Sequence, residues 1–140
     1  MAALATITID VLSRESGIDI ETIRAYERMG LVGKPRRVAG NLLLYRTDDI
    51  NGVIFAQRAL GLGFSPQAVR ELLRLADRGS NSCVEVHRLA HRHLGDIKRR
   101  IAELKAMEKA LAPLVSGCSP EQLLADCPII QALAPSPRRE

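Results

Sequence analysis

CVEVHRLAHRHLGDIKRRIAELKAMEKALAPLVSGCSPEQLLADC, residues 83–127, is the stretch whose periodicity decides the architecture. From Leu94 the apolar residues Leu94, Ile97, Ile101, Leu104 and Leu111 fall three, four, three and seven apart, the a/d spacing of a coiled-coil seam. The same register puts His87 and Ala90 on that face ahead of the run. It also puts Glu108 there, a polar a-type position that costs stability and can fix pairing register. No proline occurs between Cys83 and Ala112, and Pro113 with Gly117 predicts the stop. One helix of roughly 30 residues is about 45 Å long at 1.5 Å per residue. That length exceeds what so small a chain can cover with its own core, so the seam is expected to meet a second copy.

The cysteines sharpen this expectation. Cys83 and Cys118 stand 118 − 83 = 35 positions apart, at opposite ends of the predicted helix, so within one chain their sulfurs are expected on the order of 50 Å apart. A shared metal needs Zn–S type bonds of about 2.3 Å, so the two cannot hold one ion in one subunit. An antiparallel pair of helices removes the difficulty, because the start of one lies beside the end of the other. Two-fold symmetry then gives two equal sites, each taking Cys83 from one chain and Cys118 and Cys127 from its partner. Cys118 and Cys127 bracket a short loop, CSPEQLLADC, able to fold back and bring both sulfurs together. Three unrelated thiols remain the plainer alternative, since free cysteine is often a small buried hydrophobe.

The bulk composition sets the class. A chain of 140 residues with 46% hydrophobic and 26% charged residues is one or at most two small soluble domains. Aromatics make up only 3%, with no Trp, which suits a helical protein packed with Leu, Ile and Ala. The net charge of +4 is mild, so its distribution matters more. Between Arg24 and Arg46 stand Arg24, Arg28, Lys34, Arg36, Arg37 and Arg46 against one carboxylate, Glu27, the footprint expected for a phosphate backbone. No apolar run approaches the roughly 20 residues of a membrane span, and MAALATITID does not read as a secretory signal. Three cysteines, an odd number, fit a reducing cytoplasm and thiol or metal chemistry better than disulfides.

Taken in order, Thr6 to Ile9 is a short β-branched run expected as a first strand, followed by a helix through Val11, Leu12 and Glu15 that Gly17 stops. Asp19 sits where an N-cap belongs, with Ile20, Ile23 and Tyr26 on one side of a second helix closing at Gly30. Two short helices joined by a Gly-containing turn predict a helix-turn-helix. Its second helix enters the major groove, which makes Thr22 and Arg24 candidates for groove contact and Tyr26 for phosphate contact. The plainer reading is that Arg24 and Arg28 solvate an exposed face. Leu31-Val32, then Gly33-Lys34-Pro35-Arg36-Arg37, then Asn41 to Tyr45, reads as strand, basic loop and strand, a β-hairpin wing with Gly33, Pro35 and Gly40 in its turns. An Arg-rich wing beside a helix-turn-helix grips phosphates flanking the groove, and tips the balance toward a DNA-binding head.

Thr47 or Asp48 is expected to cap a third helix through Ile50, Val53, Ile54 and Phe55, ending in the Gly61-Leu62-Gly63 turn. Ser65 followed by Pro66 predicts a fourth helix, N-cap then N1, with Val69, Leu72, Leu73 and Ala76 as its apolar stripe. Asp77 to Ser82 is expected as a polar hinge, and residues 135–140 as a disordered end.

The segments ETIRAYERMGLV, the AGN…LY wing, QRALGLGFSPQAVRELL and the long helix bracketed by cysteines together resemble the MerR family of bacterial transcription regulators, over nearly the whole chain from Ile7 to about Leu133. The trio Cys83, Cys118 and Cys127 resembles the branch that senses soft divalent metals, mercuric ion above all, with similar spacing in lead and cadmium sensors. The resemblance implies a mainly α fold: a winged helix-turn-helix head over residues 1–80, a long antiparallel coiled-coil dimerisation helix over 81–116, and a metal-binding loop and tail over 117–140. It implies a homodimer on promoter DNA that represses when empty and distorts the DNA when the inducer binds, aligning the promoter elements for RNA polymerase. Carried over by position, Cys83, Cys118 and Cys127 are the metal ligands, two from one subunit and one from the other. Thr22, Arg24, Tyr26, Arg36 and Arg37 contact DNA, with Tyr45 and Arg46 close behind. The chain departs from the family pattern at Ala25, where an aromatic is usual, at Leu43, where the wing commonly has Arg, and at Ser119, where many mercury sensors have His.

Soft thiolates favour Hg(II), Pb(II) and Cd(II) as well as Zn(II), so Hg(II) is the expected inducer with the other three as alternatives. A closed zinc site wants a fourth ligand, which His87, four residues after Cys83 on the same helical face, can supply; the plainer reading makes His87, His91 and His93 surface or interface histidines. A redox sensor with a Cys118–Cys127 disulfide is the first rival. A mercury- or thiol-processing enzyme is the second, and it lacks a nucleotide-binding glycine motif, a CxxC pair and a Ser/His/Asp set.

Overall fold

The computed structural model describes residues 5–78 and 83–135. Its backbone divides into two compact units, residues 1–90 and 91–140. The boundary falls inside the longest helix, whose first turns group with the head. The chain is mainly helical, as its composition predicts.

In the first unit, β1 (Thr6–Ile7) leads into α1 (Ile9–Ser16), with Thr8 as N-cap accepting from the Val11 amide at 3.4 Å. The strand is shorter than the expected run to Ile9, because Thr8 turns the chain to cap the helix. Gly17, at φ 75°, closes α1 in the left-handed conformation that costs glycine nothing. The turn to α2 (Ile20–Arg28) is held by two serines: Ser13 donates to the Ile18 carbonyl at 2.7 Å, and Ser16 accepts from the Ile18 amide at 3.2 Å. Ile18 is thereby pushed into the core. Asp19 occupies the N-cap position without capping a backbone amide; its carboxylate accepts from the Thr22 hydroxyl instead.

Past Gly30, at φ 76°, the expected strand at Leu31-Val32 does not form. Both residues are buried and irregular, packed in the same core as Tyr26. A two-residue apolar run satisfies a core contact as readily as a ladder, and burial wins here. The hairpin starts later, with β2 (Arg36–Val38) paired antiparallel to β3 (Leu42–Arg46), so Arg36 and Arg37 lie on a strand rather than in a loop. Gly40, at φ 77°, makes its turn. β1 pairs with the other edge of β3, giving the order β1-β3-β2.

α3 (Asp48–Gly61) follows directly. Neither expected capping group acts as one: Thr47 is itself helical, and the Asp49 carboxylate accepts from the Arg46 amide at 2.9 Å. α4 (Pro66–Asp77) starts as expected, with Ser65 accepting from the Ala68 amide at 3.1 Å and Pro66 at N1. Val69 and Leu72 are buried and Leu73 half-buried, whereas Ala76 is exposed and drops out of the stripe. α1 packs on α2, α3 and β3, and α3 on α2, α4 and β3. Leu12, Ile23, Tyr45, Val53 and Val69 form the centre of the one buried cluster. The hinge expected beyond Arg78 and the tail beyond residue 135 lie outside the described residues.

α5 (Val84–Ser116) runs for 33 residues. It passes through Pro113 rather than ending there, since a proline in the last turn forfeits one hydrogen bond and the helix continues to Gly117, whose amide reaches the Pro113 carbonyl at 3.0 Å. Val86 and Leu89 pack on the head core, yet none of the helix is fully buried. In the second unit a 3-10 turn (Leu124–Asp126) and α6 (Pro128–Leu133) pack together after the end of α5. No helix among the described residues is long and apolar enough to cross a membrane.

Candidate functional site

Two sets of residues carry chemistry. The first is the basic face of the head. On α2, Arg24 and Arg28 are exposed and Thr22 and Ala25 half-buried, around a shallow depression that Asp19 and Glu21 also line. The three-turn pitch that buries Ile23 and Tyr26 turns these side chains outward. Thr22 arrives with its hydroxyl committed to Asp19.

In the hairpin, strand alternation separates the two adjacent arginines. Arg36 pairs with Leu44 and Arg37 with Leu43, so they point to opposite faces of the wing. Arg36 and Arg46 share one face, and with Lys34 they line a cleft of about 700 Å³ beside Tyr45 and Asp49. Lys34 was not singled out as a site residue; only its place in the cationic cluster pointed to it. Leu43, on the Arg37 face, is partly exposed and offers no charge.

The two tyrosines expected near DNA are core residues. Tyr26 is 7% exposed and Tyr45 2%. The Tyr45 hydroxyl donates to the Glu27 carboxylate at 2.9 Å, joining β3 to the recognition helix. Burial, then that hydrogen bond, pushes the Tyr45 phenol up to about 12. Burial and the Asp19 charge raise Tyr26 as well. Each tyrosine can therefore hold α2 in place, with only its edge available to a phosphate. Arg70 of α4 fastens the other end of α2 by donating to the Met29 carbonyl.

Tyr45→Phe is expected to cost about 1 kcal/mol, the net value of one hydrogen bond, and to change the alkaline limb. A phenol whose folded value, about 12, exceeds the unfolded 10 contributes stability that is complete below pH 10 and is lost as pH rises through 12. Urea titrations at pH 9 and pH 11 should show the wild type losing stability between them and the variant losing less.

The second set is the thiols. Cys83 is exposed and precedes α5, its carbonyl accepting from the His87 amide at 2.8 Å. Cys118 follows the end of α5, and Cys127 stands at the N-cap of α6. The loop between them folds back, with Gln122 accepting from the Ser119 amide at 3.2 Å and Gln131 donating to the Ala125 carbonyl at 3.0 Å. This brings the Cys118 and Cys127 sulfurs to 3.7 Å. The Ile130 amide, helped by the hydrogen bond from Cys118 and by the Ile129 amide, pulls Cys127 down. The hydrogen bond to Cys127, then desolvation, pushes Cys118 up. Cys127 is thus the anionic sulfur and Cys118 the donor. Among the described residues, no three His, Cys, Asp or Glu side chains of the single chain group together to hold a metal.

Comparison with known proteins decides the family. Residues 7–76 match the model of the MerR HTH family regulatory proteins, and residues 52–114 that of the MerR DNA-binding region. The chain belongs to the MerR family. It is a helix-turn-helix transcription regulator of that type. It is 37% identical over 130 residues to the mercuric resistance operon regulatory protein of Pseudomonas fluorescens, covering 93% of this chain and 89% of that one. Its fold is similar to that of the regulator PbrR691 from Ralstonia metallidurans CH34 in complex with lead(II), with a TM-score of 0.79 and 30% identity over 91% of this chain and 99% of that one. It is also similar to MerR from Bacillus megaterium MB1 in complex with mercury(II), with a TM-score of 0.59 and 32% identity over 87% and 94% of the two chains.

Proposed function

We propose that this MerR-type regulator binds promoter DNA as a homodimer and activates heavy-metal resistance genes when Hg(II) is captured by three thiolates, Cys118 and Cys127 of one subunit and Cys83 of the other. Pb(II), Cd(II) and Zn(II) are the alternative inducers. The observation that carries the reading is the Cys118–Cys127 pair at 3.7 Å, half a site already assembled at one end of the chain's longest helix. Thiolates select soft ions, and the relatives named for mercuric resistance and bound to mercury or lead support that class. At 1.5 Å per residue, α5 sets its own two ends about 50 Å apart, which is why the third thiolate is assigned to a partner. Residues 1–80 act as the DNA-binding part, 81–116 as the dimerisation helix and 117–140 as the metal-binding loop and tail.

On DNA, Thr22 and Arg24 face the groove while Arg36, Arg37 and Arg46 engage phosphates; Tyr26 and Tyr45 position α2. Metal capture distorts the promoter and brings its elements into alignment for RNA polymerase in the cytoplasm. Transcription from the chain's own promoter with purified polymerase tests this: Hg(II) should raise transcript without releasing the protein from DNA. A response to peroxide in metal-free buffer, absent with metal alone, would replace it with a thiol-redox sensor. Arg36→Ala is expected to weaken binding to specific and random DNA alike and to reduce the salt slope by about 1, as read by fluorescence anisotropy over a salt series. A loss confined to one sequence would instead make Arg36 a base reader.

A further inference from the structure

The spacing of the two clustered thiols carries information about coordination number. For bonds of about 2.3 Å, sulfurs 3.7 Å apart subtend about 107° at a bound ion, close to the tetrahedral angle. Linear two-coordination at the same bond length needs the sulfurs about 4.6 Å apart, and trigonal planar coordination about 4.0 Å. The loop, fixed by Gln122 and Gln131, presents one edge of a tetrahedron.

A tetrahedron has a second edge, and the chain has one place that supplies it. Cys83 and His87 are separated by one helical turn, with the His87 amide bonded to the Cys83 carbonyl at 2.8 Å. Residues four apart on a helix have their Cβ atoms about 5–6 Å apart on one face, the separation at which paired ligands on a helix grip one metal. Both side chains are exposed. His91 is another full turn further from Cys83 and is out of reach of an ion that Cys83 holds. All three cysteines are already used, so a fourth soft or borderline donor has to be nitrogen.

We propose that His87 is a fourth ligand that completes a Cys3His tetrahedron, and that it extends the response of this regulator to Zn(II) and Cd(II). The proposal rests on the three-thiolate site described above. The pair Cys83–His87 of one subunit faces the pair Cys118–Cys127 of the other. An ion satisfied by three thiolates leaves His87 unused, whereas zinc, which takes four tetrahedral ligands in closed sites, requires it. His87 is thus a specificity-determining residue for the borderline ions and silent toward the softest.

Co(II) and Zn(II) added to the purified dimer test this, with Hg(II) as the reference ion. The wild type is expected to give the intense visible d–d bands of four-coordinate Co(II). His87→Ala should lose that intensity. It should also lose Zn(II) affinity by at least the roughly 10–100-fold that removing even an outer-sphere partner costs, measured against a competing chelator. His87→Cys should restore four-coordination with stronger thiolate-to-cobalt charge transfer. Hg(II) stoichiometry and its charge-transfer band should be unchanged in both variants. Alanine raises helix propensity, so the exposed substitution leaves α5 formed. Unchanged Co(II) spectra and Zn(II) affinity in His87→Ala would overturn the proposal and leave the three-thiolate reading standing. Equal losses toward Zn(II) and Hg(II) would overturn it too. Hg(II) bands that survive Cys83→Ser unaltered would instead remove the cross-subunit reading beneath it.

Discussion

Cys127→Ser is expected to abolish metal induction and to leave operator affinity where it was. Cys127 is the more ionised of the clustered pair, held so by the Ile130 amide, and the thiolate rather than the thiol is the metal ligand. A serine hydroxyl in its place offers a hard, protonated oxygen to a soft ion. Cys118→Ser and Cys83→Ser are expected to fail as completely, because three ligands that close one site act as a unit. None of the three cysteines belongs to the buried cluster that shapes the head, so promoter binding without metal should persist. Reporter induction with Hg(II), alongside gel-shift titration of each variant, reads both halves. Metal response retained in any one variant would count against a three-thiolate site.

The second large effect concerns the seam. Leu94, Ile101, Leu104 and Leu111 line one face of α5 and are 46–62% exposed in the single chain. Burying such a side chain is worth about 1.5–3 kcal/mol. Ile101→Asp with Leu104→Asp removes four such burials from a symmetric dimer, roughly 6–12 kcal/mol in gross terms. That is enough to turn a nanomolar dimer into a monomer at micromolar concentration. Sedimentation equilibrium should show the change, with Hg(II) stoichiometry collapsing in parallel. A double variant that stays dimeric would place the interface elsewhere.

Much of this molecule was legible in advance. Ser65-Pro66 announced α4 because a hydroxyl cap and a proline at N1 satisfy local geometry with no help from the rest of the fold. Gly17 and Gly30 marked helix ends for the same reason, both adopting the left-handed backbone. The reading failed where tertiary contacts overrode local signals. Leu31-Val32 has the composition of a strand and the fate of a core plug. Arg36 and Arg37 sounded like a loop because of their charge, yet a strand tolerates both when alternate faces are open. Pro113 looked like a stop and was carried within the last turn. Tyr26 and Tyr45 were assigned to DNA contact on resemblance, and nothing local could reveal that both rings are buried or that Glu27 holds the Tyr45 hydroxyl. Of the site itself, the return of Cys127 toward Cys118 followed from loop length, while the 3.7 Å spacing depends on two glutamines that no motif flags.

The central claim is that each metal trap is shared between two chains. Mixing Cys83→Ser protein with the Cys118→Ser/Cys127→Ser double variant, then titrating Hg(II) while recording the thiolate-to-metal charge-transfer band, tests it most directly. Neither parent homodimer should give the three-thiolate band, whereas each mixed dimer should give one site, because one of its two helix-end pairings retains all three sulfurs. A mixture that recovers no band, or a Cys83→Ser homodimer that shows the full band by itself, would contradict the account.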